Sequence, residues 1–333
     1  MLGPFVCQDG THLHLREDGD LQAALTLVLL HCYALDLRVW DPVVERLTAR
    51  RPVRVVRYDH RGHGGSDPAT RGTDLAQLGD DLADLLAHHL PEGPVVLVGH
   101  SMGGMAIMAM ADRHPELVAD RVAGAAFIAT SSSNLSMMSL GLPRPLASAL
   151  LTIERLGMTL LSAVGRENLP CPGAILGPFV RWLAFGTDAR PVEVANVTAM
   201  ARDCRLGNIA TLRRTLDEHD CRLALITFDR LPTIVLVGDQ DRLTSVRHAA
   251  VITQWLPHAR LHVLPGAGHM LPCERTATIV DLLARLVDHA IDAWRGAADT
   301  ESQWPARRTG VRLEPDSTQP GHDEGHPPSR TER

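Results

Sequence analysis

The chain has 333 residues, of which 45% are hydrophobic and 22% charged, with 27 Gly and 22 Pro. That balance excludes a collagen, a coiled coil and a wholly disordered chain, and the length suits one large α/β domain carrying an insertion. The 33 basic and 39 acidic side chains leave a net charge of −6, a poor footprint for a nucleic-acid partner, and all the basic residues are Arg, which removes every chemistry that needs a lysine.

In chain order, Phe5 to Cys7 and His12 to Leu15 read as a short hairpin turned by Asp9-Gly10. Leu25 to Leu30 is an unbroken apolar run of strand length, as a strand buried on both sheet faces requires. The alternation that follows predicts a helix over Val39 to Arg50, a strand over Val53 to Tyr58 and a helix over Leu75 to His89. It continues with a strand at Val95 to Val98, a helix at Met102 to His114 and a strand at Val122 to Ile128. Strand and helix in turn define a doubly wound, mostly parallel α/β sheet.

The rhythm then breaks. Residues 131–230 carry Pro-Gly punctuation and helical apolar spacing without a strand, and so predict an inserted helical cap. Alternation resumes with Thr233 to Val237, Ser245 to Trp255, Leu261 to Leu264 and Ala277 to Trp294. The body is thus expected in residues 1–130 and 231–295, and residues 296–333, rich in Pro and charge, are expected to be disordered.

The chemistry is concentrated at strand ends. Gly99-His100-Ser101-Met102-Gly103 follows a strand and opens a helix, the setting in which Gly-x-Ser-x-Gly turns sharply enough to expose the serine. A serine hydroxyl needs a base, and the base needs a carboxylate to orient it. Both types recur after later strands, as Gly238-Asp239-Gln240-Asp241 and as Gly266-Ala267-Gly268-His269.

With Tyr58-Asp-His-Arg-Gly-His-Gly-Gly-Ser-Asp67 as a fourth motif, the chain resembles the α/β-hydrolase superfamily from about residue 1 to 295, the insertion excepted. The resemblance implies Ser101 as nucleophile, Asp241 as acid, with Asp239 the rival, and His269 as base. It also implies backbone N–H donors at Met102 and Tyr33 for an oxyanion, with His31, Cys32 and His100 standing behind them. Cys32 occupies a position where relatives commonly carry glycine, so a Cβ there is expected to strain the loop or tilt the Tyr33 amide. His100, preceding the serine, is expected to point away from the base. The 60–67 loop reads as scaffold and Met105, Met108 and Met110 as core. Met137, Met138, Leu140, Leu142, Leu146, Leu150, Leu151, Leu160 and Leu161, with Phe179, Trp182 and Phe185, are expected to cover an apolar pocket.

The function implied is cleavage of a carboxylic ester or lactone of a small, largely apolar molecule through an acyl-enzyme, with no cofactor and no metal. A serine where other relatives carry Asp argues against an alkyl-enzyme. Perhydrolysis, haloperoxidase-type activity and C–C bond hydrolysis use the same triad, and a ligand-binding protein of this fold with little turnover is the alternative of another class. The six cysteines show no Cys-x-x-Cys pair and no zinc spacing. No signal-peptide pattern opens the chain, and no apolar run is long enough to span a membrane, so a cytoplasmic protein is expected.

Overall fold

The computed structural model describes residues 5–68, 73–133, 135, 140–163, 171–205, 212, 213 and 215–303. Two short strands, β1 (Phe5–Val6) and β2 (His12–Leu13), form the expected antiparallel hairpin. Seven strands build the main sheet: β3 (Leu15–Gly19), β4 (Thr26–Leu30), β5 (Arg54–Tyr58), β6 (Val95–His100), β7 (Val122–Ile128), β8 (Thr233–Gly238) and β9 (Arg260–Leu264). Their order is β3-β5-β4-β6-β7-β8-β9, parallel throughout except β3, which runs antiparallel to β5.

The β3 strand is a departure from the sequence reading, which stopped at Leu15. Its Leu-Arg-Glu-Asp-Gly composition is poor in strand formers. Cross-strand charge holds it instead: Arg54 Nη2 meets Glu17 Oε2 at 2.9 Å, and Arg57 Nε meets Asp18 Oδ2 at 2.9 Å.

Helices cover both faces. Strand side chains alternate, so Val28, Leu30, Val56 and Leu97 enter one core while Leu27, Leu29, Val55, Val96 and Val98 enter the other. The first core is closed by α2 (Leu75–Asp84), which continues in a π-helical turn to His89, and by α3 (Met102–Arg113) with α4 (Pro115–Arg121). Met105, Met108 and Met110 are buried there as expected. The α4 helix was not foreseen: Pro115 at its first turn restarts the chain that His114 ends. The second core takes α1 (Asp41–Arg50), preceded by a 3-10 turn at Leu37–Trp40.

Between β7 and β8 the described elements are α5 (Arg144–Ala163), α6 (Gly173–Ala184), α7 (Pro191–Asp203) and a 3-10 segment, Leu223–Phe228. These lie within the same compact unit as the sheet, residues 1–296. After β8 come α8 (Val246–Trp255), the short α9 (Leu271–Glu274) and α10 (Thr276–Gln303). The last helix outruns its expected end at Trp294: no proline interrupts Arg295 to Gln303, and Ala297, Ala298 and Glu301 favour helix against the cost of Gly296. The remainder of the expected disordered tail, residues 304–333, lies outside the described residues, as do Met137 and Met138.

One buried ion pair ties the hairpin to this frame. Arg61 Nε donates to Asp81 Oδ2 at 2.7 Å, both side chains are nearly inaccessible, and Arg61 Nη1 reaches Asp9 at 2.8 Å. Removing one member of such a pair strands the other charge in the interior. Arg61→Met is therefore expected to lower the unfolding free energy by about 3–5 kcal/mol, measured by urea denaturation; an unchanged midpoint would show that the pair contributes no net stability.

Candidate active site

The sheet order places β4 and β6 side by side at the centre, and chain connections leave them in opposite directions. A crevice therefore opens at their carboxyl ends. Ser101 ends β6 there, with φ 54° and ψ −117°, a left-handed conformation that a non-glycine residue adopts only under constraint. The constraint is close packing. A Cβ on Gly99 would run into the Gly104 backbone, and one on Gly103 into the Leu30 carbonyl oxygen. The turn is pinned by Ser101 N–H donating to the Ile128 carbonyl at 2.9 Å and by the Thr130 hydroxyl donating to the Ser101 carbonyl at 2.6 Å. Met102 is the first residue of α3, so its N–H has no acceptor within the helix and lies at the positive end of the dipole.

Asp241 and His269 arrive from the loops after β8 and β9. His269 Nδ1–H donates to Asp241 Oδ2 at 2.9 Å, which leaves Nε2 as the lone-pair nitrogen. The carboxylate also accepts from the N–H groups of Leu243 at 2.8 Å and Thr244 at 2.9 Å, and from the Thr244 hydroxyl at 2.9 Å. Burial alone would raise the Asp241 pKa, but the His269 ring and these donors outweigh it and hold the carboxyl below its ordinary value. The rival, Asp239, turns elsewhere and accepts from Gly266 N–H at 2.8 Å, bracing the loop.

The His269 loop is clamped from the insertion. The Ala184 carbonyl at the end of α6 accepts from the N–H groups of both His269, at 2.8 Å, and Met270, at 3.1 Å. Glu274 accepts from Gly186 N–H at 2.6 Å and from Gly268 N–H at 3.0 Å, joining the two segments. Sequence reasoning missed this carboxylate; its only signal was a Glu one turn beyond the histidine motif. His100 was expected to point away from the base. It does not: its Nε2–H donates to the His269 carbonyl at 2.9 Å and its ring lies 5.1 Å from the His269 ring. The sharp turn at Ser101 folds the preceding side chain under the histidine loop.

The loop after β4, which carries Tyr33, rests on three buried histidines. His31 Nδ1–H donates to the Cys32 carbonyl at 2.8 Å, while His31 Nε2 accepts from His60 N–H at 2.9 Å. His60 Nε2–H returns a bond to the His31 carbonyl at 3.1 Å, and His63 Nε2 accepts from Ala34 N–H at 3.3 Å. The strained residue is Ala34, at φ 62°; Cys32 is not in the left-handed region, so the missing glycine costs no backbone strain. Burial raises the Cys32 thiol pKa, against any role as a thiolate.

Ser101, Tyr33 and His269 line one cavity of about 340 Å³. Leu140, Leu150, Leu151 and Phe179 from the insertion cover it as expected. Leu146 and Leu160 are instead exposed, Phe185 is buried in the second core, and Trp182 lies under the Arg242 guanidinium, 5.8 Å away. Among the described residues no helix is long and apolar enough to cross a membrane.

Comparison with known proteins agrees with this geometry. The model of the alpha/beta hydrolase family matches residues 27–282. A pimeloyl-[acyl-carrier protein] methyl ester esterase of Aromatoleum aromaticum is 32% identical over 247 residues, covering 73% of this chain and 90% of that protein. A non-heme haloperoxidase of Rhodococcus erythropolis is 28% identical over 289 residues, covering 84% and 98%. Among solved structures, an esterase from Exiguobacterium antarcticum aligns with a TM-score of 0.71 at 19% identity over 86% of this chain and 100% of its own. The enol-lactonase of Burkholderia xenovorans aligns with a TM-score of 0.65 at 26% identity over 83% and 98%. The chain belongs to the alpha/beta hydrolase family, and its activity is that of a hydrolase.

The histidine brace carries a pH dependence. Burial, then the neighbouring His31, lower the His63 pKa to about 3, and protonation would also forfeit the bond that its Nε2 accepts from Ala34. The unfolded chain has His63 near its ordinary ~6.5, so between these values the unfolded state binds more protons and stability rises with pH. Acidification from pH 6.5 toward 4 is thus expected to lower the urea midpoint. His63→Gln should be less stable at pH 7 but lose less on acidification; an equal slope in variant and wild type would assign the acid sensitivity elsewhere.

Proposed function

We propose that the protein hydrolyses a carboxylic ester or lactone of a small, largely apolar molecule, with Ser101 as nucleophile, His269 as base and Asp241 as its orienting carboxylate. The observation that carries this reading is that a serine on a strained strand-to-helix turn and a histidine bonded to a buried Asp face the same mainly apolar cavity. His269 Nε2 takes the Ser101 proton as Oγ attacks the carbonyl carbon. The N–H groups of Met102 and Tyr33 receive the oxyanion. His269 then protonates the leaving alkoxide, and the alcohol departs from an acyl-enzyme. Water, deprotonated by His269, releases the acid and restores Ser101.

Asp241, already ionised because of the donors around it, stabilises the imidazolium formed in each half-reaction. The similarity to a haloperoxidase supports a second activity of the same site, in which hydrogen peroxide replaces water against the acyl-enzyme and releases a peracid. The relaxed backbone at Cys32 counts against a binding protein without turnover, whose one supporting feature was that residue.

A fluorophosphonate probe should label the wild type and not Ser101→Ala. On a panel of p-nitrophenyl esters of graded acyl length, Ser101→Ala and His269→Ala should each lower kcat by at least about 10⁴-fold, whereas wild-type protein that neither labels nor turns over any ester or lactone would overturn the assignment.

A further inference from the structure

The cavity that holds Ser101 and His269 is apolar along most of its wall, through Leu135, Leu176, Val180 and Leu216, but it is not apolar all round. Arg213 and Glu154 line it too. Arg213 is 6% exposed. Its Nη1 donates to Asp217 Oδ1 at 2.7 Å, and its Nε stands 3.4 Å from Glu154 Oε2. Its Nη2 is buried and has no hydrogen-bond partner among the described residues. The same holds for Glu154 Oε2, whose approach to Nε lacks hydrogen-bond geometry.

Asp217 is moreover shared, since its Oδ2 also holds Arg155 Nη2 at 2.6 Å. One carboxylate therefore serves two guanidinium groups. Burial raises the Glu154 pKa, with Arg213 and Arg155 opposing, which weakens that residue as a counter-charge. The result is a guanidinium on a residue that lines a substrate-sized cavity, with one desolvated N–H that no described residue accepts. A buried donor of this kind costs free energy until an acceptor meets it.

We propose that Arg213 is a specificity-determining residue, and that the substrate is an ester whose far end carries a hydrogen-bond-accepting oxygen, a carboxylate or a ketone, that pairs with the Arg213 guanidinium. The proposal rests on the ester-hydrolase reading above and adds to it a substrate class. An apolar chain end in the same place would give the guanidinium no further acceptor, and a site with a buried polar group discriminates more strongly against the analogue that lacks a partner than an apolar pocket discriminates between chain lengths. Asp217, itself held by Arg155, orients the Arg213 guanidinium before substrate arrives.

The test compares matched substrates: methyl esters of straight-chain acids, and acetates of straight-chain alcohols, each ending in a methyl, a methyl ketone or a carboxylate. The wild type should favour the ketone or carboxylate ends over the methyl end by about ten-fold or more in kcat/KM at one chain length or another, chiefly through KM. Equal use of ketone and carboxylate ends identifies a hydrogen bond, and preference for the carboxylate identifies charge pairing; both support the proposal. In Arg213→Met the selectivity ratio should collapse toward unity, and Arg213→Lys, which keeps a cation, should recover part of it for the carboxylate end. The wild-type ratio stands without any variant, so a misfolded Arg213→Met does not empty the test. Turnover of methyl-ended esters at equal or greater rates would overturn the proposal and leave the ester-hydrolase reading intact, whereas absence of turnover and of fluorophosphonate labelling would overturn the reading on which it rests.

Discussion

Everything at the site depends on the backbone of Ser101 being held where a serine does not rest unaided. A left-handed residue between a parallel strand and a helix costs free energy of order 1–3 kcal/mol, and it persists because three glycines let the turn close on itself. Gly99 lies against the backbone of Gly104, Gly103 against the carbonyl of Leu30 on the next strand, and Gly104 against the side chain of Thr130. The second of these approaches matters twice. It seats the start of α3 on β4, and the loop that follows β4 is the one that carries Tyr33. The proposed nucleophile and both amides proposed for the oxyanion are thus fixed by one set of close contacts across two adjacent strands.

The proposed base reaches this point by a different route. Asp241 and His269 sit on loops after the strands farthest from the hairpin, and loops by themselves are the least ordered parts of such a sheet. Here the loop is gripped from above and below. The Ala184 carbonyl and the Glu274 carboxylate hold it to the insertion, and His100 holds the His269 carbonyl from beneath. Gly186 and Gly268 allow that grip, since a Cβ on either would strike the backbone of the other segment. The insertion consequently does more than cover a pocket: it carries one of the hydrogen bonds that decide where the imidazole lies.

The sequence was most legible where chemistry forces an unusual residue. Gly-x-Ser-x-Gly after an apolar run, and Gly-x-x-Asp and Gly-x-Gly-His after two later strands, mark turns that only small residues permit, so the parallel sheet and the neighbourhood of Ser101, Asp241 and His269 could both be read. What escaped was held by tertiary contact. The β3 strand has the wrong composition and survives through Arg54 and Arg57 on its neighbour. The orientation of His100 follows from a backbone angle that no residue type announces. Cys32 looked like a fault because a family habit was projected onto it, whereas the strain had moved to Ala34, where the His63 acceptor answers it.

Arg213 belongs with these unannounced features, and it shows why apolar spacing alone describes a pocket badly. A cap built of Leu, Val and Phe reads as a cover for a greasy substrate, and thirty-three arginines make any single one unremarkable in sequence. Burial changes its meaning. A surface guanidinium spends its donors on water, but one that is 6% exposed must spend them on protein or on ligand. Asp217 takes one donor, Nη2 meets no acceptor among the described residues, and the side chain lines the cavity. The energetic consequence is asymmetric, because filling an apolar wall with one more methylene gains little while pairing a desolvated cation gains the full cost of having buried it. Selectivity in this hydrolase would then be set by the polar end of its pocket and capacity by the apolar length between, with the catalytic groups themselves indifferent to both.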